Sequence, residues 1–180
     1  MEFRELLKKT VNRLFLVVWT PWREKRESDI DISFGFVFND QPSELCVISV
    51  DKDELWSPHI FLQPLPENIY LGEDFHPKIR MWMDSNDDNC AITNEYFDVT
   101  SCKLFKEIID SEIIGIELIS IEGTDKPFGV KILFKNDFII STPISDGNTV
   151  ETSRFNQNSN IEVFKKIGKI ELTTIVENIH

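Results

Sequence analysis

Hydrophobic positions recur with a helical period at the start of the chain. The apolar residues spaced by three or four positions are Phe3, Leu7, Val11, Leu14 and Val18. Such spacing places them on one face of a helix, with polar residues on the other face. Pro21 cannot continue a helix, because it lacks a backbone N–H. The pattern predicts an amphipathic helix over residues 2–18 that packs on a sheet.

The next segments have the period of strands. Over residues 29–38, apolar side chains alternate with small or polar ones, as in a strand. The apolar run 45–50 follows a turn-like break, so we expect these two segments to form an antiparallel pair. Prolines and acidic residues predict irregular loops over 51–77, with one short strand near 60–62. Another strand is predicted at 79–83.

The second half of the chain predicts a β-meander. The expected strands are 113–122, 127–135, 138–144 and 149–155, with a last strand at 169–176. Asn136-Asp137 and Asp146-Gly147 stand where two-residue hairpin turns are expected. Short helices are predicted over 102–111 and 161–167. The predicted fold is therefore α+β: one domain, 1–180, made mainly of antiparallel sheet with the N-terminal helix packed on it.

Composition supports a folded, β-rich domain. The chain has 180 residues, 41% of them hydrophobic, and alanine occurs once while isoleucine is abundant. No segment approaches the roughly 18 apolar residues of a membrane helix. The apolar run 14–19 is too short for a signal peptide. Cys46, Cys90 and Cys102 form no paired metal or redox motif, so a reducing, cytoplasmic location is predicted.

Acidic residues are concentrated in the middle of the chain. The net charge is −12, and residues 27–125 hold 22 Asp/Glu against five Lys/Arg. The flanks, 1–26 and 126–180, carry a slight excess of Lys and Arg. This distribution argues against nucleic-acid and anionic-lipid binding, which need a basic surface. It favours a basic protein partner, because an acidic field speeds association with a cationic protein.

Catalytic and cofactor motifs do not occur in the sequence. There is no nucleophile elbow, glycine-rich phosphate loop or zinc-binding histidine pair. His59 and His76 are candidates for a general base paired with a carboxylate, and the alternative is that both are ordinary loop residues. We therefore predict a protein that is not an enzyme and needs no cofactor.

One acidic segment has the spacing of a calcium loop. Asp84, Asn86, Asp88 and Glu95 occupy positions 1, 3, 5 and 12 of that pattern, with Asn89 in place of its glycine. The preceding segment follows Pro77 and is too short for the usual incoming helix. We therefore predict a solvated loop and no metal site, with calcium binding as the alternative.

The same region combines aromatic and acidic side chains. The predicted partner-binding residues are Trp82, Asp84, Asp87, Asp88, Glu95, Tyr96 and Asp98. Tryptophan and tyrosine are enriched at interface centres, and carboxylates around them suit a basic partner. In the alternative interpretation, Trp82 and Tyr96 belong to the core and the acids are a solvated rim.

Segments 29–38 and 45–50 and the meander from 113 to 155 resemble, in style, immunity proteins of bacterial polymorphic toxin and contact-dependent inhibition systems. The resemblance implies a small cytosolic α+β protein that binds and blocks a cognate toxin domain, commonly a basic nuclease. Two alternatives remain open. One is a small hydrolase or calcium-dependent enzyme that uses His59, His76 and carboxylates, and the other is a structural subunit of a larger assembly.

Overall fold

The structure, a computed structural model, describes residues 1–19, 30–50, 57–84, 94–144 and 147–176. The first sheet consists of β1 (Val11–Trp19), β2 (Asp31–Phe38), β3 (Gln41–Val50), β4 (Pro58–Pro64), β5 (Tyr70–Leu71) and β6 (Asn94–Asp98), in the order β4-β3-β2-β1-β6-β5. The second sheet consists of β7 (Gly115–Ile121), β8 (Gly129–Leu133), β9 (Phe138–Ile144), β10 (Gly147–Thr152) and β11 (Ile170–Ile175), in the order β10-β9-β8-β7-β11. The described α-helices are α1 (Phe75–Asp84) and α2 (Ile161–Lys165).

The predicted N-terminal helix and the α+β class are wrong, because the protein is mostly β. Residues 2–18 form a 3-10 turn at Phe3–Leu6 followed by β1. Both faces of β1 are buried, with Leu14 and Leu16 facing one hydrophobic core and Phe15 and Val17 facing another. A strand covered on both faces has a continuous apolar run, and such a run hides the strand period.

Some of the other local predictions are confirmed, and others are wrong. The antiparallel pairing of β2 with β3, the β7–β10 meander, the short strand near 60–62 and the last strand are confirmed. The predicted strand 79–83 is wrong, because this segment belongs to α1. The predicted helix 102–111 is also wrong, since the chain there makes successive turns. The helix expected at 161–167 is present as the shorter α2.

The two sheets face each other across the larger hydrophobic core, here called the main core, which contains Leu14 and Leu16 of β1. Phe36 of β2 contacts Phe34 of the same strand at 5.3 Å and Phe134, after β8, at 6.1 Å between ring centroids. Ile132 of β8 and Val150 of β10 close the core from the second sheet, and both are fully buried. The aromatic rings therefore join the sheets through both burial and edge contacts.

A buried amide also joins the two sheets. Asn148 of β10 is 2% exposed, and its Nδ2 donates to Asp31 Oδ1 at 3.1 Å and to Ser49 Oγ at 3.2 Å. The preceding Gly147 lies so close to β2 that a Cβ there would be 2.9 Å from Asp31 Cα. Glycine is therefore required for this approach of the sheets.

The first sheet curls around a second, smaller core. This small core consists of Phe15, Val17, Val37, Leu45 and Val47. The segment 65–69, here called the strap, joins the β4 edge to the β5 edge of the sheet and packs Leu65 and Ile69 on the small core. The six steps from Pro64 to Tyr70 span at most about 21 Å. Five strand spacings of a flat sheet would need about 24 Å, so the two edges must approach each other.

Candidate functional site

Three of the predicted partner-binding residues lie on β6. This strand pairs with β1, so that Val18 faces Glu95 and Val17 faces Tyr96. Because alternate residues of a strand point to opposite faces, Glu95 lies on the face of the main core, whereas Tyr96 and Asp98 lie on the face of the small core. The three side chains therefore do not form one continuous surface.

Trp82 reaches the same region from α1. Phe75, Ile79 and Trp82 are spaced as one face of a helix and pack on the main core. Their centre is the fully buried Phe97 of β6, whose ring lies 5.4 Å from Phe75 and 6.1 Å from Trp82, both in edge-to-face geometry. Trp82 is half-buried, so part of its ring packs in the core and part remains open to solvent.

Tyr96 is held by a contact across the curled sheet. Gln63 Nε2, on β4, donates to Tyr96 Oη at 3.0 Å. The ring packs against the small core. Three strands separate β4 from β6 in the sheet order, so this hydrogen bond is possible only because the sheet curls. The position of Tyr96 is therefore set by the fold.

Asp98 is paired inside the protein. Its Oδ2 accepts hydrogen bonds from Arg13 Nη2 at 2.7 Å and Arg13 Nε at 3.1 Å, and its Oδ1 accepts one from the Thr100 backbone N–H at 3.0 Å. Burial raises the pKa of this carboxyl, but the hydrogen bonds from Thr100 and Arg13 and the Arg13 charge outweigh it and hold the pKa below its usual value of 3.8. Asp98 is thus ionised, and Arg13 compensates its charge.

The remaining predicted residues belong to the acidic loop. Asp84 is the last residue of α1, and its side chain lies outside what the structure describes. Asp87 and Asp88 lie outside the described residues, as does most of the predicted calcium loop. The described part of the predicted surface is therefore Trp82 with Glu95 on one face of β6, and Tyr96 with Asp98 on the other.

The two histidines do not share the cavity that His76 lines. This cavity has a volume of about 390 Å³ and lies beside α1, where Phe75, Ile79 and Arg154 also line it. His59 lies on β4 and stacks on Phe61 at 5.8 Å. Among the described residues, no group of three or more His, Cys, Asp or Glu side chains is placed to hold a metal ion.

Unpaired carboxylates are widespread on the described surface. Within the described ranges, the exposed acidic residues without a basic partner are Glu5, Glu44, Glu67, Glu73, Asp110, Glu112, Asp125 and Glu171. Six of these eight fall within 27–125, where the sequence places the acidic excess. Six described carboxylates of this acidic segment are thus displayed to solvent without a basic partner, whereas others, such as Asp98, form internal ion pairs.

Glu151 is a candidate site residue that the sequence pattern does not predict. It lies on β10 within a predicted strand, where a single acidic residue is ordinarily assigned to a solvated face. In the structure it is 5% exposed and faces a cavity on the second sheet. No sequence signal distinguishes it, because its burial depends on how the following segment 157–161 folds back over the sheet.

The chain was also compared with known proteins. It matches no protein-family model, no curated protein and no solved structure. None of the described helices is both long enough and apolar enough to cross a membrane. A functional assignment must therefore be argued from the residues and the geometry of this chain.

Proposed function

We propose that the protein is a stoichiometric inhibitor that binds a cationic toxin domain through its acidic surface, in the manner of an immunity protein. The observation that supports this most strongly is the display of unpaired carboxylates from residues 27–125, a segment with 22 Asp/Glu and five Lys/Arg. Binding itself blocks the partner in this proposal, and no turnover is required.

The net charge of the chain is larger in magnitude than solubility requires. A small domain stays soluble with a net charge of magnitude about 2–8. This chain carries −12, although like charges at that density repel one another and destabilise the compact state. A field of this kind accelerates encounter with an oppositely charged protein, and this supplies a reason for the excess.

The edge of α1 offers an exposed apolar contact. Met81 is 52% exposed and adjoins the half-buried Trp82 in sequence. Methionine and tryptophan are both enriched in the centres of protein interfaces. In the proposed complex, Trp82 and Met81 slow dissociation, whereas the exposed carboxylates of residues 27–125 mainly speed association.

The first test is co-expression with the product of the adjacent gene. A basic toxin domain that co-purifies in a one-to-one complex and loses its activity supports the proposal. Association rates are then measured by stopped-flow at two salt concentrations. Because exposed charges are screened over about 8 Å at physiological salt, the wild-type rate should fall steeply as salt rises.

Charge-reversal variants distinguish the effect of the acidic residues 84–88 on association from the effect of the total net charge. The test variant carries Asp84→Lys, Asp87→Lys and Asp88→Lys, and the matched control carries Glu5→Lys, Glu162→Lys and Glu171→Lys. Both change the net charge equally, but the control residues all lie outside the acidic segment 27–125. We expect at least about tenfold slower association for the test variant and a smaller effect for the control. An acidic partner, or a rate indifferent to salt and to both reversals, would contradict the proposal.

A further inference from the structure

A cavity of about 340 Å³ lies on the outer face of the second sheet, away from the main core. Its floor is apolar and includes Ile119 of β7 and Phe138 and Ile140 of β9. Residues of the segment 157–161, which precedes and begins α2, form one wall. The cavity is therefore a concave site with an apolar floor, as is common in small-molecule sites.

The strand register sets the charged groups of this cavity in one row. Glu151 lies opposite Ile140, Ile140 opposite Lys131, and Lys131 opposite Glu117. Lys131 Nζ is directed toward β7, 3.8 Å from Glu117 Oε2, and also lies 4.9 Å from the centroid of the Phe138 ring. Lys131 therefore neutralises Glu117, and Glu151 forms no ion pair with any described residue.

Glu151 is buried with half of its carboxylate unsatisfied. The residue is 5% exposed, and Oε2 accepts a hydrogen bond from the Asn160 backbone N–H at 3.1 Å. Oε1 is shielded from solvent and has no hydrogen-bond partner in the described part of the chain. A buried carboxylate oxygen without a donor is costly, because burial removes the hydrogen bonds that water makes to it in the unfolded chain.

The wall beside Glu151 is fixed independently. Asn160 Nδ2 donates to Thr142 Oγ1 at 2.9 Å and to the Pro143 carbonyl at 2.8 Å. These bonds tie the segment before α2 to β9. The fold thus holds the covering segment in place without using the second oxygen of Glu151, and this oxygen is left for another donor.

We propose that this cavity binds a small organic ammonium compound. Its apolar body lies on Ile119, Phe138 and Ile140, and its ammonium group donates to Glu151. Glu151 lines the cavity, and because the terminal torsion of a glutamate is broad, the carboxylate turns to accept from the ammonium group in the proposed complex. A charged donor fits better than a neutral one, because a charge-assisted hydrogen bond is roughly twice as strong and also compensates the buried charge. The proposal is independent of the partner binding described above.

The experiment compares 2-phenylethylamine with its neutral counterpart 2-phenylethanol by isothermal titration calorimetry. We expect saturable one-to-one binding of the amine and at least about tenfold weaker binding of the alcohol. Glu151→Gln should abolish this preference while keeping the shape of the side chain. The matched control is Glu171→Gln, an exposed carboxylate on β11, which should leave the preference unchanged. Equal affinities for amine and alcohol, an unchanged preference in Glu151→Gln, or no amine binding at millimolar concentration would overturn the proposal.

A second variant keeps the test decisive if Glu151→Gln does not fold. Leu172 lines the cavity from β11 and is 51% exposed, so Leu172→Trp narrows the site at a position that tolerates size. Folded protein, shown by circular dichroism, should bind the amine at least about tenfold more weakly. Unchanged binding by this variant would place the amine elsewhere and defeat the proposal.

A blocked Ala-Lys-Ala peptide distinguishes two sources of the ammonium group. Tighter binding of the free amine identifies a small molecule as the ligand, and tighter binding of the peptide identifies a lysine side chain. Either result supports an ammonium ligand only if Glu151→Gln removes that tighter binding.

Discussion

Replacing Asp98 with asparagine tests the ion pair that joins β1 to β6. Asp98→Asn keeps the size of the side chain but removes the charge that faces Arg13. The two side chains are 20% and 31% exposed, and the Nη2–Oδ2 distance is 2.7 Å. Exposed pairs contribute up to about 1 kcal/mol, whereas breaking a buried pair costs about 3–5 kcal/mol. For this intermediate burial we expect the free energy of unfolding to fall by about 2 kcal/mol.

The loss should depend on pH in a defined direction. The pKa of Asp98 is lower in the folded protein than its usual value of 3.8. A carboxyl of this kind stabilises the fold fully above its unfolded pKa, and the contribution disappears as the pH falls through the folded pKa. The difference between wild type and Asp98→Asn should therefore be constant from about pH 7 to about pH 5 and shrink below about pH 4.

Urea unfolding followed by tryptophan fluorescence measures both effects. The control is Glu122→Gln, which breaks a pair with Lys169 whose side chains are 55% and 68% exposed. We expect the control to lose less than about 0.5 kcal/mol. If Asp98→Asn loses no more than the control, or if its deficit is unchanged at the lowest pH where both proteins remain folded, the reasoning is refuted.

Three further predictions concern the core and its thiol. Phe97→Ala should cost about 3–5 kcal/mol in urea unfolding, because the ring is fully buried beneath α1, whereas Phe61→Ala, at a 37% exposed site, should cost clearly less. Asn148→Ala should cost about 2 kcal/mol in the same assay, since it removes the buried hydrogen bonds that Nδ2 donates from the second sheet to Asp31 and Ser49 of the first sheet. Burial raises the pKa of Cys46 to about 12. In a Cys90→Ser background, iodoacetamide near pH 8 should therefore leave Cys46 unmodified in the folded protein, and mass spectrometry should show its labelling only after urea is added.

Sequence patterns predicted strands well where one period dominated. In β2, large aromatic residues alternate with Ser33 and Gly35, so the strand period was visible although both faces are buried. In β1, the residues between Leu14 and Val18 are all large and apolar, so no alternation is visible. The apolar residues also happen to match a helical spacing, and the sequence therefore predicted a helix. Only the positions of the other elements show that β1 is covered on both faces.

The error at α1 has a local cause. The segment 79–83 is a short and mainly apolar run, which suits a strand as well as a helix, and the stretch after Pro77 is too short for a helix of the usual length. Pro77 is the third residue of α1, where a proline is tolerated because backbone N–H groups of the first turn have no partner within the helix. The helical spacing of Phe75, Ile79 and Trp82 was present in the sequence and was the better guide.

The sites were less predictable than the strands. Trp82, Glu95, Tyr96 and Asp98 are close along the chain, and the structure does bring them to one region. Their separation onto two faces follows from the strand period of β6, but the pairing of Asp98 with Arg13 depends on a contact 85 positions away in sequence. Such long-range pairing cannot be inferred from a single sequence.

The curled first sheet has a consequence for how the chain folds. β1 to β4 form hairpins between neighbouring segments, but β6 must return to β1, and Phe15 pairs with Asp98. Closure over so long a separation is slow, because the chain entropy is lost before the contact forms. Until then one edge of β1 lacks its partner strand and can pair with another chain. We therefore expect refolding yield to fall with protein concentration, and variants that slow the docking of β6 to aggregate before they lose native stability.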